Sequence, residues 1–170
     1  MRQPENQLDT FRRTTAATVR AIAGALGSHE PPRPPPNSWA SHRDSDLAIW
    51  SIQLAAGAKW QLPEVQPNTD RTLYFFSGRQ ARVGNEVVSS RAGLRLRRGN
   101  PVGLEATDGA CEFLLLQARP IGEPVAHRGP FVMNDEAGIR QAFADYRSTG
   151  FGGWPWPVDD PVHPRDAGRF

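Results

Sequence analysis

The stretch from Gly57 to Gly84, GAKWQLPEVQPNTDRTLYFFSGRQARVG, most restricts what this chain can fold into. It opens on a small-residue turn and runs through a segment that puts Trp60 and Leu62 on the same side. A polar loop, Gln66 to Asp70, leads into an apolar run, Thr72 to Phe76. Ser77-Gly78 then turns the chain into another alternating run. Two-residue periodicity interrupted by turn residues is the mark of short strands. The layout is that of the first half of a small double-stranded β-barrel.

The flanking sequence extends the pattern. Leu47 to Leu54 places Ala48, Trp50, Ile52 and Leu54 on one face and Ile49, Ser51 and Gln53 on the other. Thr72 to Phe76 is apolar on both faces, as expected of a central strand. Arg79 to Val83 and Glu86 to Ser89 flank Gly84-Asn85, a good two-residue hairpin turn. Leu94 to Arg97, Val102 to Ala106 and Cys111 to Gln117 alternate again, separated by Gly99-Asn100-Pro101 and Asp108-Gly109. Regular turn signals between so many short strands predict an antiparallel barrel or jelly roll. The 16 Gly and 16 Pro among 170 residues agree with many turns and few long helices.

The two ends read differently. Phe11, Thr15, Val19, Ile22 and Leu26 fall on one helical face, and periodicity slightly favours a helix there. Thr18 to Ala23 reads equally as a short β-segment. Glu30 to Asn37, EPPRPPPN, is a stiff proline-rich connector. Asn134 to Arg147 predicts one amphipathic helix, packed on the outside of the barrel. Asn134 is its N-cap, Ile139, Ala142, Phe143 and Tyr146 form its stripe, and Gly150 is its stop. The tail GFGGWPWPVDDPVHPRDAGRF has too many glycines and prolines for regular structure, and Trp154 and Trp156 are its candidate partner contacts. The organisation expected is a segment and linker over 1–33, a barrel over 34–133, and a helix with its tail over 134–170.

Chemistry-bearing residues are sparse. The four histidines, His29, His42, His127 and His163, all fall outside inward strand positions, so no metal site is expected. Neither a nucleophile elbow nor a phosphate loop is present, and no catalytic residue is assigned. Glu64 and Glu105 read as edge carboxylates. Cys111 starts an apolar strand and reads as a buried structural thiol. Twenty basic and 18 acidic residues are too balanced to argue for nucleic acid, and the Arg95 and Arg97 guanidinium groups read as the wet face of a strand. The lone cysteine suggests a reducing compartment. With no leader-like N-terminus and no long apolar run, a soluble cytoplasmic protein is expected.

Four segments together resemble the C-terminal half of pirin-family proteins, which are bicupins. They are PPPNSWA (Pro34 to Ala40), EFLLLQARPIGEPV (Glu112 to Val125), GPFVMN (Gly129 to Asn134) with its following helix and ADYRSTGFG, and the tail from Gly152. PENQ and ATVRAIAGALG are fainter matches to the segment joining the two cupin halves, and by that likeness Thr18 to Ala23 is a strand. The resemblance implies a mainly β fold: a cupin-type double-stranded barrel with one C-terminal helix and an extended tail. In the family an N-terminal cupin holds iron with three histidines and a glutamate. Some members oxidise flavonols such as quercetin, and others act as protein-binding regulators.

No such N-terminal cupin lies within these residues. Aligning the cupin motifs puts Arg71 at the glutamate position, Glu64 to Pro67 over the histidines, and Ala106 at the last histidine. The resemblance therefore implies no cofactor for this chain alone, with iron entering only through a partner cupin. The leading expectation is a non-catalytic binding or assembly module whose inward face carries Trp60, Leu62, Arg71, Phe75, Leu104 and Phe113, either packed shut or holding a small ligand. The alternative is a subunit that completes an iron-dependent dioxygenase with a separate N-terminal cupin. A homodimer or that cupin is the expected partner.

Overall fold

Alternating burial along short strands builds two antiparallel sheets around one apolar core. A computed structural model of the chain describes residues 11–14, 16–89 and 91–153. The first of two compact units ends at Ile121. It holds β1 (Phe11–Thr14), β2 (Ala17–Ala23), β3 (Ala48–Leu54), β4 (Lys59–Gln61), β5 (Asp70–Ser77), β6 (Gln80–Val83), β7 (Glu86–Ser89), β8 (Ala92–Leu96), β9 (Gly103–Asp108) and β10 (Cys111–Ala118). One sheet runs β1-β2-β3-β10-β5-β8 and the other β4-β9-β6-β7. These facing sheets form the cupin-type jelly roll that the turn spacing predicts, without closing into one continuous barrel.

β10 is the hub of the larger sheet, paired with β3 on one side and β5 on the other. Its inward residues, Cys111, Phe113, Leu115 and Gln117, are all buried. Three of them meet an inward partner on β5: Phe113 opposite Phe75, Leu115 opposite Leu73, Gln117 opposite Arg71. Phe75 and Phe113 stack with ring centroids 4.9 Å apart. Ile52 and Trp50 back the same rows from β3, and Ala81, Val83, Leu104 and Ala106 close the core from the smaller sheet. The row is thus apolar at one end and polar at the other.

Two sequence expectations are corrected here. The helical stripe from Phe11 to Leu26 does not form: β1 and β2 are antiparallel strands, and β2 adds to β3 with Ala17, Val19 and Ala21 buried. Edge pairing onto β3 satisfies the backbone of this segment where a helix would have satisfied it internally. The resemblance-based reading of Thr18 to Ala23 as strand is the one that holds. The second correction concerns β5, which is central but buries only one face. Tyr74 and Phe76 on its outer face are 43% and 49% exposed.

Gly24 marks where β2 ends and shows why. Its φ is +72°, and a Cβ there would sit 1.9 Å from the Leu47 carbonyl oxygen. The close approach lets the Trp50 indole N–H donate to the Gly24 carbonyl at 3.1 Å. After the proline-rich connector, the Trp39 indole donates to the Arg119 carbonyl at 2.9 Å, which ties the connector's end to the end of β10.

The second unit, taken by itself, contains the hairpin β11 (Ala126–Arg128) and β12 (Phe131–Met133), the helix α1 (Glu136–Thr149) and a short 3-10 turn. The helix is the one expected, but Asp135 rather than Asn134 caps it. The Asp135 carboxylate accepts from the Gly138 N–H at 2.7 Å, while Asn134 donates to Glu123. Gly150, in the left-handed region at φ +55°, ends it. Phe131 packs edge-on against Phe143 at 4.8 Å and meets Tyr146 and Phe151 more distantly.

Phe113→Ala removes a fully buried ring from the core between the two sheets and is expected to cost about 3–5 kcal/mol of unfolding free energy. Tyr74→Ala, on the outer face, is expected to cost less than about 1 kcal/mol. Urea denaturation of the two variants checks the contrast.

Candidate functional site

The polar end of the β5–β10 row opens onto the largest cavity described in the first unit, of about 590 Å³. Arg71 forms its inner wall. Alternation on β5 turns the side chain inward beside Leu73 and Phe75, so an arginine is 6% exposed where the rows below it are hydrocarbon. Its Nε donates to the Gln117 amide oxygen at 3.0 Å, and Nη2 donates to the Pro63 carbonyl. Gln117 in turn donates to the Asp46 carbonyl at 2.9 Å. Both acceptors on Arg71 are neutral.

Asp46 organises the loop around this end. It adopts a left-handed conformation (φ +46°) after a 3-10 turn over Arg43–Ser45. Its carboxylate accepts from the Gln66 N–H at 2.9 Å and from the buried Thr69 hydroxyl at 2.6 Å. The loop between β4 and β5, which forms one side of the cavity, is thereby fixed by the turn that precedes β3 at the same end of the sheet. Burial pulls the Arg71 guanidinium below its usual pKa, and the nearby Asp46 carboxylate opposes that pull. An arginine retains its proton through such a shift.

Leu62, Val65, Leu96 and Pro101 supply apolar wall, and Thr69 and Asn100 supply polar groups. Arg97, Arg98 and Glu64 complete its charges. Arg98 is committed to Asp70, donating through Nε at 2.8 Å. That hydrogen bond is the main reason the Asp70 carboxyl lies below its usual range, and the same carboxylate raises Arg98.

The other sequence-singled residues are dispersed. Leu62 and Arg71 share the large cavity, whereas Phe75 and Phe113 are stacked inside the core and line no cavity described here. Trp60 and Leu104 border a separate, shallower cavity of about 410 Å³. Glu105, beside them, pairs with Lys59 at 3.1 Å and with Arg82 at 3.5 Å. His29 makes an isolated backbone bridge with Leu26, His42 lies against the Trp39 ring, and His127 is on β11. Cys111 is buried at the far end of the row from Arg71, and burial raises its pKa, which suits a structural thiol. His163, Trp154 and Trp156 lie outside the described residues.

Sequence reasoning missed Gln117, Asp46 and Thr69. A glutamine on an otherwise apolar inward row was the available signal for the first. Nothing local marks Asp46, whose partners are 20 and 23 residues away.

The residues present do not fit iron. Among the described residues no three His, Cys, Asp or Glu side chains converge. The position aligned with a ligand glutamate holds a guanidinium, which at about 4 Å opposes each unit of added positive charge by about 4 kcal/mol in a protein-like medium.

Comparisons with known proteins agree with this architecture. Residues 49–152 match the family model described as the pirin C-terminal cupin domain. A pirin-like protein of Caulobacter vibrioides is 38% identical over 106 residues, covering 62% of this chain and 37% of its own length. A Pseudomonas aeruginosa protein named "Putative quercetin 2,3-dioxygenase PA2418" is 34% identical over 137 residues, covering 80% of this chain and 44% of its own. The chain therefore spans less than half the length of these curated relatives. A crystal structure titled as quercetin 2,3-dioxygenase from Acinetobacter baumannii superposes with a TM-score of 0.66 at 24% identity, over 84% of this chain and 48% of the other, and shows the shared fold.

Asp46→Ala leaves the Gln66 N–H and the Thr69 hydroxyl without an acceptor, and is expected to cost about 2 kcal/mol in urea denaturation. Asp46→Asn keeps one acceptor oxygen and is expected to cost less.

Proposed function

The chain belongs to the pirin family, of which it carries the C-terminal cupin domain, and from that premise we propose that it serves as a non-catalytic binding or assembly module. The buried Arg71 carries this reading. A cupin metal centre gathers neutral and anionic donors around a cation, whereas this barrel mouth is built around a fixed cation with neutral acceptors. The cavity beside it has the size and mixed lining of a small-molecule site. A cytoplasmic setting suits the single buried thiol, and among the described residues no helix is long and apolar enough to cross a membrane.

A second reading has its own support. The names of relatives such as the Pseudomonas protein, and the half-length match to them, favour pairing with an N-terminal cupin that supplies the iron ligands. The outer face of β5 and β10 exposes Tyr74, Phe76 and Leu116, which is apolar area suited to such a partner or to a second copy of this chain. In either case the module works in an assembly.

Metal analysis after dialysis against ferrous iron tests the main reading, with substoichiometric metal expected. One tightly held iron per chain would overturn it. Size-exclusion chromatography with light scattering is expected to show a dimer, or a complex when an N-terminal cupin is supplied. A clean monomer at micromolar concentration that takes up no such cupin would count against the assembly role.

A further inference from the structure

We propose that the cavity walled by Arg71 is a binding site for a small organic carboxylate, whose anionic end meets the Arg71 guanidinium and whose apolar body lies against Leu62, Val65 and Leu96. This rests on the reading of the barrel mouth as a ligand site and gives that ligand a chemical class.

The first support is a buried charge with no ion-pair partner. A buried guanidinium costs free energy unless it is paired, and Arg71 is 6% exposed with only an amide and a peptide oxygen as partners. Asp46 is the nearby acid, but its carboxylate is engaged by Gln66 and Thr69 and forms no ion pair with Arg71. Nη1 has no acceptor among the described residues. A guanidinium with donors to spare beside a cavity is the group that a carboxylate accepts from with both oxygens.

The charges and shape of the lining narrow the class. Arg98 is neutralised by Asp70, which leaves Arg71 and Arg97 against Glu64. The lining's one surplus positive charge, offset in part by Asp46 outside the cavity, suits a monoanion better than a phosphate dianion, which the Glu64 carboxylate would oppose. About 590 Å³ admits a body of aromatic-ring size. The apolar wall gives that body a surface that an inorganic anion would not use. Asn100 offers a polar group for a substituent.

Titration of the full chain with benzoate, followed by amide and arginine-side-chain NMR, tests the site. Saturable shifts confined to residues 61–71 and 96–101 are expected. The neutral isostere benzamide is expected to bind at least about tenfold more weakly, which isolates the charge without altering the protein. Arg71→Met is expected to weaken benzoate by at least about tenfold and Arg97→Ala by about threefold. The benzamide comparison stands even if Arg71→Met fails to fold. Equal binding of benzoate and benzamide, absence of saturation, or tighter binding of inorganic phosphate would each overturn the proposal. Ferrous iron added to the same samples separates the two readings. Paramagnetic broadening around the cavity would sink the ligand-site reading itself, whereas silence to both iron and benzoate would sink only the carboxylate.

Discussion

The cross-strand row on β5 and β10 is the constraint from which the rest of the barrel follows. Three inward pairs stand on these two central strands, Phe75 with Phe113, Leu73 with Leu115, and Arg71 with Gln117. Because successive inward residues lie two positions apart, any one-residue slip in register would expose all of them together. The aromatic pair anchors one end in hydrocarbon and so commits the register. The polar pair at the other end is carried inward by that same commitment. Arg71 is buried because Leu73 and Phe75 are.

A guanidinium forced inward in this way must be given acceptors, and the loops around the mouth take their form from that need. Gln117 serves as one partner because it stands directly opposite, and its own amide N–H is passed to the Asp46 carbonyl. Asp46 then holds the β4–β5 loop through Gln66 and Thr69. Pro63, which has no N–H of its own, still offers a carbonyl to Arg71. The result is a mouth held open by a polar relay where side-chain packing would otherwise have filled it. That difference separates the lined cavity at Arg71 from the filled core at Phe75.

Sequence reading recovered what two-residue periodicity can carry. β3, β9 and β10 announce themselves because apolar residues recur at every second position, β5 by its apolar run, and β6 and β7 by the Gly84-Asn85 turn between them. β2 does not, because its inward positions are Ala17, Val19 and Ala21, two of them too small to outweigh the chance helical spacing of Val19, Ile22 and Leu26. β11 and β12 are three residues long and largely exposed, so they leave no period to read. The helix cap was displaced by one residue because Asn134 and Asp135 are both good caps, and the choice between them depends on Glu123, which claims the Asn134 amide. At the site, Leu62 was legible as an inward residue of an alternating run, and Arg71 through its alignment with the glutamate position of the cupin motif. Asp46 was not, since its importance lies in a left-handed turn and in partners distant along the chain.

The charge that Arg71 places at the barrel mouth follows from its position on β5. A strand position that points inward at the open end of the barrel is partly desolvated, so whatever charge it carries acts strongly on what lies beside it. A carboxylate there favours a cation and helps to complete a ligand set. A guanidinium there raises the cost of a cation and lowers that of an anion by a similar amount, while the surrounding strands, loop and cavity need not change. On the proposed reading one residue, Arg71, with Gln117 opposite it, favours anions over cations at the mouth, while the register stays set by the apolar pairs further down the row.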